Sequence, residues 1–175
     1  MDLLLGKPNQ PLKKIRIIAE DAYAVDFLKG IIKKLKSAGK IPSEIEVEEI
    51  RSTKGAGKIF SDKILGILRV WEKETDKILI FVDADGKPVN KIREKLERLK
   101  RNLKNPQKVK EIIFEQEIEE WITKSTQNKP SDELRRKEMY EKDMLPDYVN
   151  RVNFNDPKLM NLRSFKEFLG ALNDP

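Results

Sequence analysis

Apolar positions along this chain alternate between short solid runs and stripes at helical spacing. KKIRIIAE, 13–20, reads as a buried strand that ends on Glu20. Val25, Leu28, Ile32 and Leu35 follow at helical spacing, with Phe27 and Ile31 beside them, and Gly39 and Pro42 mark the stop. EIEVEEI, 44–50, alternates polar and apolar residues, as a half-buried strand does. After a basic, glycine-containing loop, RSTKGAGK at 51–58, Phe60, Ile64, Ile67, Leu68 and Trp71 mark a second helix. KILIFV, 77–82, has an unbroken apolar run, which predicts burial on both faces, as in a parallel sheet. Val89, Ile92, Leu96, Leu99 and Leu103 form the stripe of a third helix. VKEIIF, 109–114, is a fourth strand, and EQEIEEWI behind it opens a short helix. Residues 125–150 are polar and carry Pro130 and Pro146, which predicts a loop with a helical piece around 132–143. Leu162, Phe165, Leu169 and Leu172, with Phe168 alongside, predict a final helix.

The order β-α-β-α-β-α-β-α predicts an α/β fold: a mainly parallel sheet with helices on both faces. The expected organisation is an N-terminal arm over 1–12, an α/β core over 13–126 and a helical extension over 127–175, as a separate appendage or as part of the same domain. In such sheets ligands bind beyond the C-terminal strand ends. Three of the four predicted strands end in acid there: Glu20 and Asp21, then Asp83 and Asp85, then Glu115 and Glu117.

Composition narrows the chemistry of that edge. The 175 residues include no cysteine and no histidine, which excludes disulfides, a Ser–His triad and a zinc site with nitrogen or sulfur ligands. A metal here must be held by oxygen, as Mg²⁺ and Mn²⁺ are. No apolar run reaches membrane-span length, so no membrane partner is expected, and the expected location is cytoplasmic. The charged fraction, 38%, and the weight of Lys and Glu in it resemble heat-adapted proteins. The net charge of +6 is concentrated: residues 87–110 hold ten Lys or Arg against two acids. That permits an anionic partner.

Crowded carboxylates repel one another, and a proton, a basic neighbour or a cation must relieve them. Asp-x-Asp at a strand end brings two short carboxylates within reach of one ion, and Gly86 lets the backbone turn just after them. Alone, Asp-x-Asp-Gly suits a helix cap and turn equally well. Glu20 at the end of the first strand tips the balance toward a site.

Glu20 in IIAED, then a βα unit, then Asp83 and Asp85 in FVDAD resembles the pattern of the Toprim domain. That Rossmann-like domain occurs in topoisomerases, primases, recombination mediators and nucleases of the overcoming-lysogenization-defect type. EQEIEEWI followed by the Phe-rich SFKEFLGAL extends the likeness to small stand-alone, Toprim-like proteins. The resemblance implies phosphoester chemistry on DNA or RNA. Asp83 and Asp85 would hold Mg²⁺ or Mn²⁺, Glu20 would ligate metal or act as general acid or base, and Glu117 or Glu119 would complete a second metal site. The chain departs from the pattern at Asp21, where many members have Gly, and at Ala24, where related nucleases carry an acid. Receiver domains and Asp-x-Asp-Gly-Thr phosphatases fit less well. The first lacks its fifth-strand Lys here, and the second needs Thr at Lys87 and its motif on the first strand. TKGAGK lacks the length and hydroxyl of a Walker A loop.

Nucleic acid needs cations at its phosphates. Lys87 and Lys91 follow the aspartates, and Arg51, Lys54 and Lys58 lie on the glycine loop at the same sheet edge, so these five are the expected phosphate contacts. The Lys-rich helix face beyond Arg93 reads equally as a solvated surface. Trp71, Trp121, Phe165 and Phe168 read as core in preference to base-stacking residues. Arg135 and Arg136 are candidates for a flap. The first expectation is a Toprim-like, metal-dependent nuclease. The alternative is a non-catalytic module that binds nucleic acid or a partner such as an ATPase.

Overall fold

A computed structural model describes residues 12–55 and 57–174, so the arm expected over 1–12 lies outside the described residues except for Leu12. Four strands, β1 (Lys13–Ala19), β2 (Ile45–Ser52), β3 (Lys77–Asp83) and β4 (Val109–Phe114), form one parallel sheet in the order β2-β1-β3-β4. The helices are α1 (Ala22–Ser37), α2 (Asp62–Glu74), α3 (Val89–Lys100), α4 (Glu120–Thr123), α5 (Pro130–Glu138), α6 (Pro157–Met160) and α7 (Arg163–Asn173). Two short 3-10 turns, Lys58–Phe60 and Pro106–Lys108, and a 3-10 stretch, Lys142–Arg151, complete the chain.

Local chemistry sets the boundaries. Asp21 caps α1 by accepting from the Ala24 N–H at 2.8 Å, and Ser61 caps α2 through Ile64 N–H. In β3, Lys77 through Val82 are all buried, as expected of an inner strand between β1 and β4. β2 lies at the edge, and its alternating pattern leaves Glu46, Glu48 and Arg51 exposed.

The sheet divides two cores. On one face Ile18, Ile78, Ile80 and Ile113 pack against α2 and α3. On the other, Ile17, Leu79, Phe81 and Phe114 pack against α1, and the C-terminal segment closes this face with Leu134, Leu145, Phe165 and Phe168. The segment over 127–174 thus shares one core with the sheet. Trp121 is fully buried at the centre, within 5.1–5.2 Å of the Phe114, Phe165 and Phe168 rings, and Trp71 is buried in the other core. The 3-10 stretch docks along α1, where a Cβ on Gly30 would stand 2.7 Å from Val149 Cγ2. Glycine is what lets the two backbones approach. The segment expected as a loop is therefore ordered by packing, with α5 starting two residues before the predicted helical piece. α6 has no counterpart in the sequence reading.

Candidate functional site

β1 and β3 are neighbours, so their C-terminal ends bring Glu20 beside Asp83. Glu20 Oε1 accepts from the Asp83 backbone N–H at 3.3 Å. The two carboxyl groups thus face each other at the adjoining ends of β1 and β3, and each disfavours ionisation of the other. Burial and the Glu20 charge drive Asp83 well above the usual carboxylate range. Burial also raises Glu20; the hydrogen bond with Asp83 opposes this, and the Asp85 and Asp21 charges add to it. Two carboxyl groups whose ionisation is disfavoured by burial and by each other suit one hydrated divalent cation, whose charge would favour their ionised forms.

Asp85 is exposed and left-handed, with φ +51°, and Gly86 follows at φ +79°. Three backbone bonds hold this turn against the end of β4: Ala84 to Phe114 O, Asp85 to Gln116 O and Gly86 to Glu115 O, at 2.8–3.0 Å. Aspartate tolerates this region better than most residues, and Gly86 meets it without strain. Asp85 acts on Glu20 through its charge and sits at the edge of the Glu20–Asp83 pair.

The three acids lie at one side of a cleft of about 740 Å³ between α2 and α3. Lys87, Lys95 and Arg98 supply its cations, while Phe60, Leu65 and Leu99 supply an apolar wall. Lys95 Nζ lies 5.6 Å from the Phe60 ring centroid. Of the seven cations beyond Arg93, Lys95 and Arg98 thus line the cleft. Arg93, Lys100, Lys108 and Lys110 are spent elsewhere, on Glu111 and Glu167, on Glu97 and Glu111, on the Glu72 and Thr75 carbonyls, and on Asp174.

The glycine loop is tied to Glu20 by backbone and side chain, and its cations line a second groove. Gly55 N–H and Thr53 Oγ1 donate to the Glu20 carbonyl at 3.1 and 3.2 Å. Arg51, Lys54 and Lys58 line an adjoining groove of about 520 Å³. Arg51 is further committed to Glu49 at 2.8 Å and to the Trp71 ring. These three, expected beside the carboxylates, are absent from the lining of the cleft that holds Glu20, Asp83 and Asp85. Lys91 is exposed on α3 and is absent from the cleft lining.

The expected second metal site is not assembled. Glu117 Oε1 accepts from Ser131 N–H at 2.6 Å, at the start of α5. Glu119 is fully buried, and its Oε1 accepts from Tyr140 Oη at 2.8 Å and from Lys142 Nζ at 2.7 Å. Among the described residues, no group of three or more acids is arranged to hold a metal ion jointly. Ala24, where the chain departs from the resembled pattern, is 5% exposed and packs in the core beside α1, which would penalise a charge. Arg135 and Arg136 are exposed on α5, and Arg135 pairs with Asp132.

Lys142 and Tyr140 were invisible to pattern reading. They lie in the polar segment with no motif around them, and only the docking of that segment on α1 delivers them. Burial works to lower Lys142, and the Glu119, Asp21 and Asp83 charges overcome it and raise the ammonium instead.

Glu120, next in sequence, has a structural role. It is fully buried and accepts from Gln116 N–H at 3.1 Å and from Ser164 Oγ at 2.9 Å, while Ser164 accepts from Trp121 Nε1. Burial pushes it up to about 7. A carboxyl raised on folding favours the folded chain below its unfolded value, and that advantage is lost as pH rises to about 7. Glu120→Gln should therefore be more stable than wild type at pH 8, by about 2–3 kcal/mol at most, with the gap closing by pH 5. Urea titrations at the two pH values measure this; parallel pH profiles would show that Glu120 is not the group responsible.

Comparison with known protein families, with curated proteins and with solved structures found no match to this chain.

Proposed function

We propose that this chain is a Toprim-like protein that acts on nucleic-acid phosphodiesters with one Mg²⁺ or Mn²⁺ held by Glu20 and Asp83, with Asp85 at its rim. The observation that carries the reading is the meeting of Glu20 and Asp83, joined through the Asp83 N–H at 3.3 Å, beside a cleft with three cations on its wall. The cation, when bound, supplies Lewis-acid stabilisation of charge on a phosphoryl oxygen. The chain's own residues do the rest. Lys87, just before α3, and Lys95 and Arg98 on it hold phosphates, and the wall formed by Phe60, Leu65 and Leu99 gives an unpaired base an apolar surface. Cleavage of DNA or RNA is the first outcome to seek.

Two observations favour the second reading, a binding module without catalysis: the buried Ala24 and the commitment of Glu119 to Lys142. Labelled single- and double-stranded DNA and RNA, incubated with Mg²⁺, Mn²⁺ or chelator, separate the two. Metal-dependent cutting supports the nuclease; binding without cutting supports the module.

The same strands test the cleft. Lys95→Ala with Arg98→Ala should weaken binding of every sequence alike and lower the salt slope by about 2, whereas Lys54→Ala with Lys58→Ala should do less. Equal losses from both pairs would move the binding path onto the glycine loop.

A further inference from the structure

The groove beside the cleft carries charge of one sign. It holds about 520 Å³, and its lining includes Arg51, Lys54, Lys58 and Lys63 but no acid. The cleft differs, since Glu20, Asp62, Asp83 and Asp85 stand among its cations. Arg51 is already paired with Glu49 at 2.8 Å. Lys54, Lys58 and Lys63 are exposed, and among the described residues none of them is ion-paired. Ammonium groups gathered on one concave surface repel one another, and an anion between them relieves this. The loop backbone is left-handed at Lys54, with φ +61°, and again at Gly57, with φ +78°. Such backbone disfavours a residue with a Cβ, so lysine gains nothing locally by standing there. The Lys58 side chain lies over the Gly55 backbone, where a Cβ would stand 3.4 Å from its Cε and 3.8 Å from its Nζ. Ser61 adds a hydroxyl. Its Oγ accepts from Ile64 N–H at 3.4 Å, and its own proton has no acceptor among the described residues. Ser61 also lines the cleft, so groove and cleft meet at the start of α2.

We infer that this groove is a second anion site and takes a terminal phosphate group. The choice of a terminal group rests on charge. An internal phosphodiester carries a single negative charge, whereas a phosphate monoester carries about −1.5 to −2 at neutral pH. Unpaired ammonium groups with no acid among them favour the more highly charged form. Internal phosphodiesters stay with Lys95 and Arg98 in the cleft. Two sources share this chemistry. One is the phosphorylated end of a nucleic-acid strand, whose next nucleotides would pass Ser61 into the cleft. The other is a free nucleoside monophosphate. The inference needs neither a metal nor catalysis at Glu20 and Asp83, so it stands apart from the proposed cleavage.

The experiment measures binding to the full-length protein in chelator, so that nothing is cut. The probes are short single strands of DNA and RNA with a phosphate at the first nucleotide, at the last or at neither, and adenosine monophosphate. Wild type should bind one of the phosphorylated strands about tenfold more tightly than the strand with hydroxyl ends. Lys54→Ala with Lys58→Ala should bring that ratio close to one, and should leave the hydroxyl-ended strand within about twofold of its wild-type affinity. Lys29→Ala with Lys33→Ala, which removes the same charge from the exposed face of α1, should keep the ratio. Adenosine monophosphate bound by wild type and lost in Lys54→Ala with Lys58→Ala, with no preference among the strands, would also support the site and name the free nucleotide as its ligand. Equal affinity for all strands without binding of adenosine monophosphate overturns the inference. So does a preference that survives Lys54→Ala with Lys58→Ala, or one that falls as far in Lys29→Ala with Lys33→Ala. Failure of the chain to cut nucleic acid would remove the nuclease reading and alter none of these outcomes.

Discussion

Asp83→Asn is expected to abolish metal-dependent cleavage and, in the same protein, to raise the melting temperature at pH 8. The first half follows from the role assigned to the carboxylate. Losing a ligand of the cation removes several kcal/mol of charge stabilisation in the transition state, which is a fall of about 10³-fold in rate. The second half follows from the electrostatics of the Glu20–Asp83 pair. Burial and the Glu20 charge hold Asp83 well above the usual carboxylate range, so ionising it costs the folded chain stability that the unfolded chain does not lose. That cost is absent at acid pH, where Asp83 is protonated in both states, and grows as pH rises past the ordinary carboxylate range. An amide carries no such cost and can still donate to Glu20. The gain in melting temperature should therefore shrink toward pH 5. Mg²⁺ should stabilise wild type by mass action and leave the variant unmoved. Single-turnover cleavage and thermal melts, with and without Mg²⁺, read all of this. A variant that cuts normally would remove Asp83 from the site. A variant that melts lower at pH 8 would make it a structural residue whose charge the fold needs.

Trp121→Ala should cost about 3–5 kcal/mol of stability, the usual range for removing a large buried aromatic side chain. The indole is fully buried, and it joins the sheet to the C-terminal helix: Phe81 and Phe114 lie on one side, and Phe165 and Phe168 on the other. Its Nε1–H also donates to Ser164 Oγ, which donates in turn to Glu120, so truncation breaks a buried chain of hydrogen bonds as well as emptying the core. For a chain of 175 residues this corresponds to a fall of about 10 °C or more in melting temperature. Because α7 rests on this ring, its loss should also loosen the C-terminal segment that carries Lys142. Guanidinium titration followed by tryptophan fluorescence from Trp71 measures the change. A cost below about 1 kcal/mol would mean that the two halves hold together without the indole.

A glutamate at the end of an inner strand and a Lys-rich helix show where reading from sequence works well and where it stops. β3 was legible because six consecutive buried positions leave no helical alternative, and β4 was legible to the residue. The acids at the strand ends were legible for a related reason. In a parallel sheet the chain direction alone decides which edge a strand-end residue occupies, so Glu20 and Asp83 had to meet if β1 and β3 were neighbours. Periodicity likewise assigned Trp71 and Trp121 to the core.

The partners of each charge were not legible. Arg93 and Lys95 are two residues apart on one helix, yet the first is paired with Glu111 and Glu167 and the second lines the cleft. That difference depends on the rotation of α3 against the sheet. The groups that the loop spends on Glu20 are the Thr53 hydroxyl and the Gly55 N–H, while Lys54 and Lys58 line the adjoining groove. Glu119 and Lys142 lie 23 positions apart, in segments whose own patterns say nothing of each other. The sequence by itself determined the α/β order, both cores and the acidic edge, because burial and chain direction are local or periodic properties. Only the tertiary structure decided which cations meet those acids. A charged side chain has no periodicity to read, and its partner is set by the docking of whole elements.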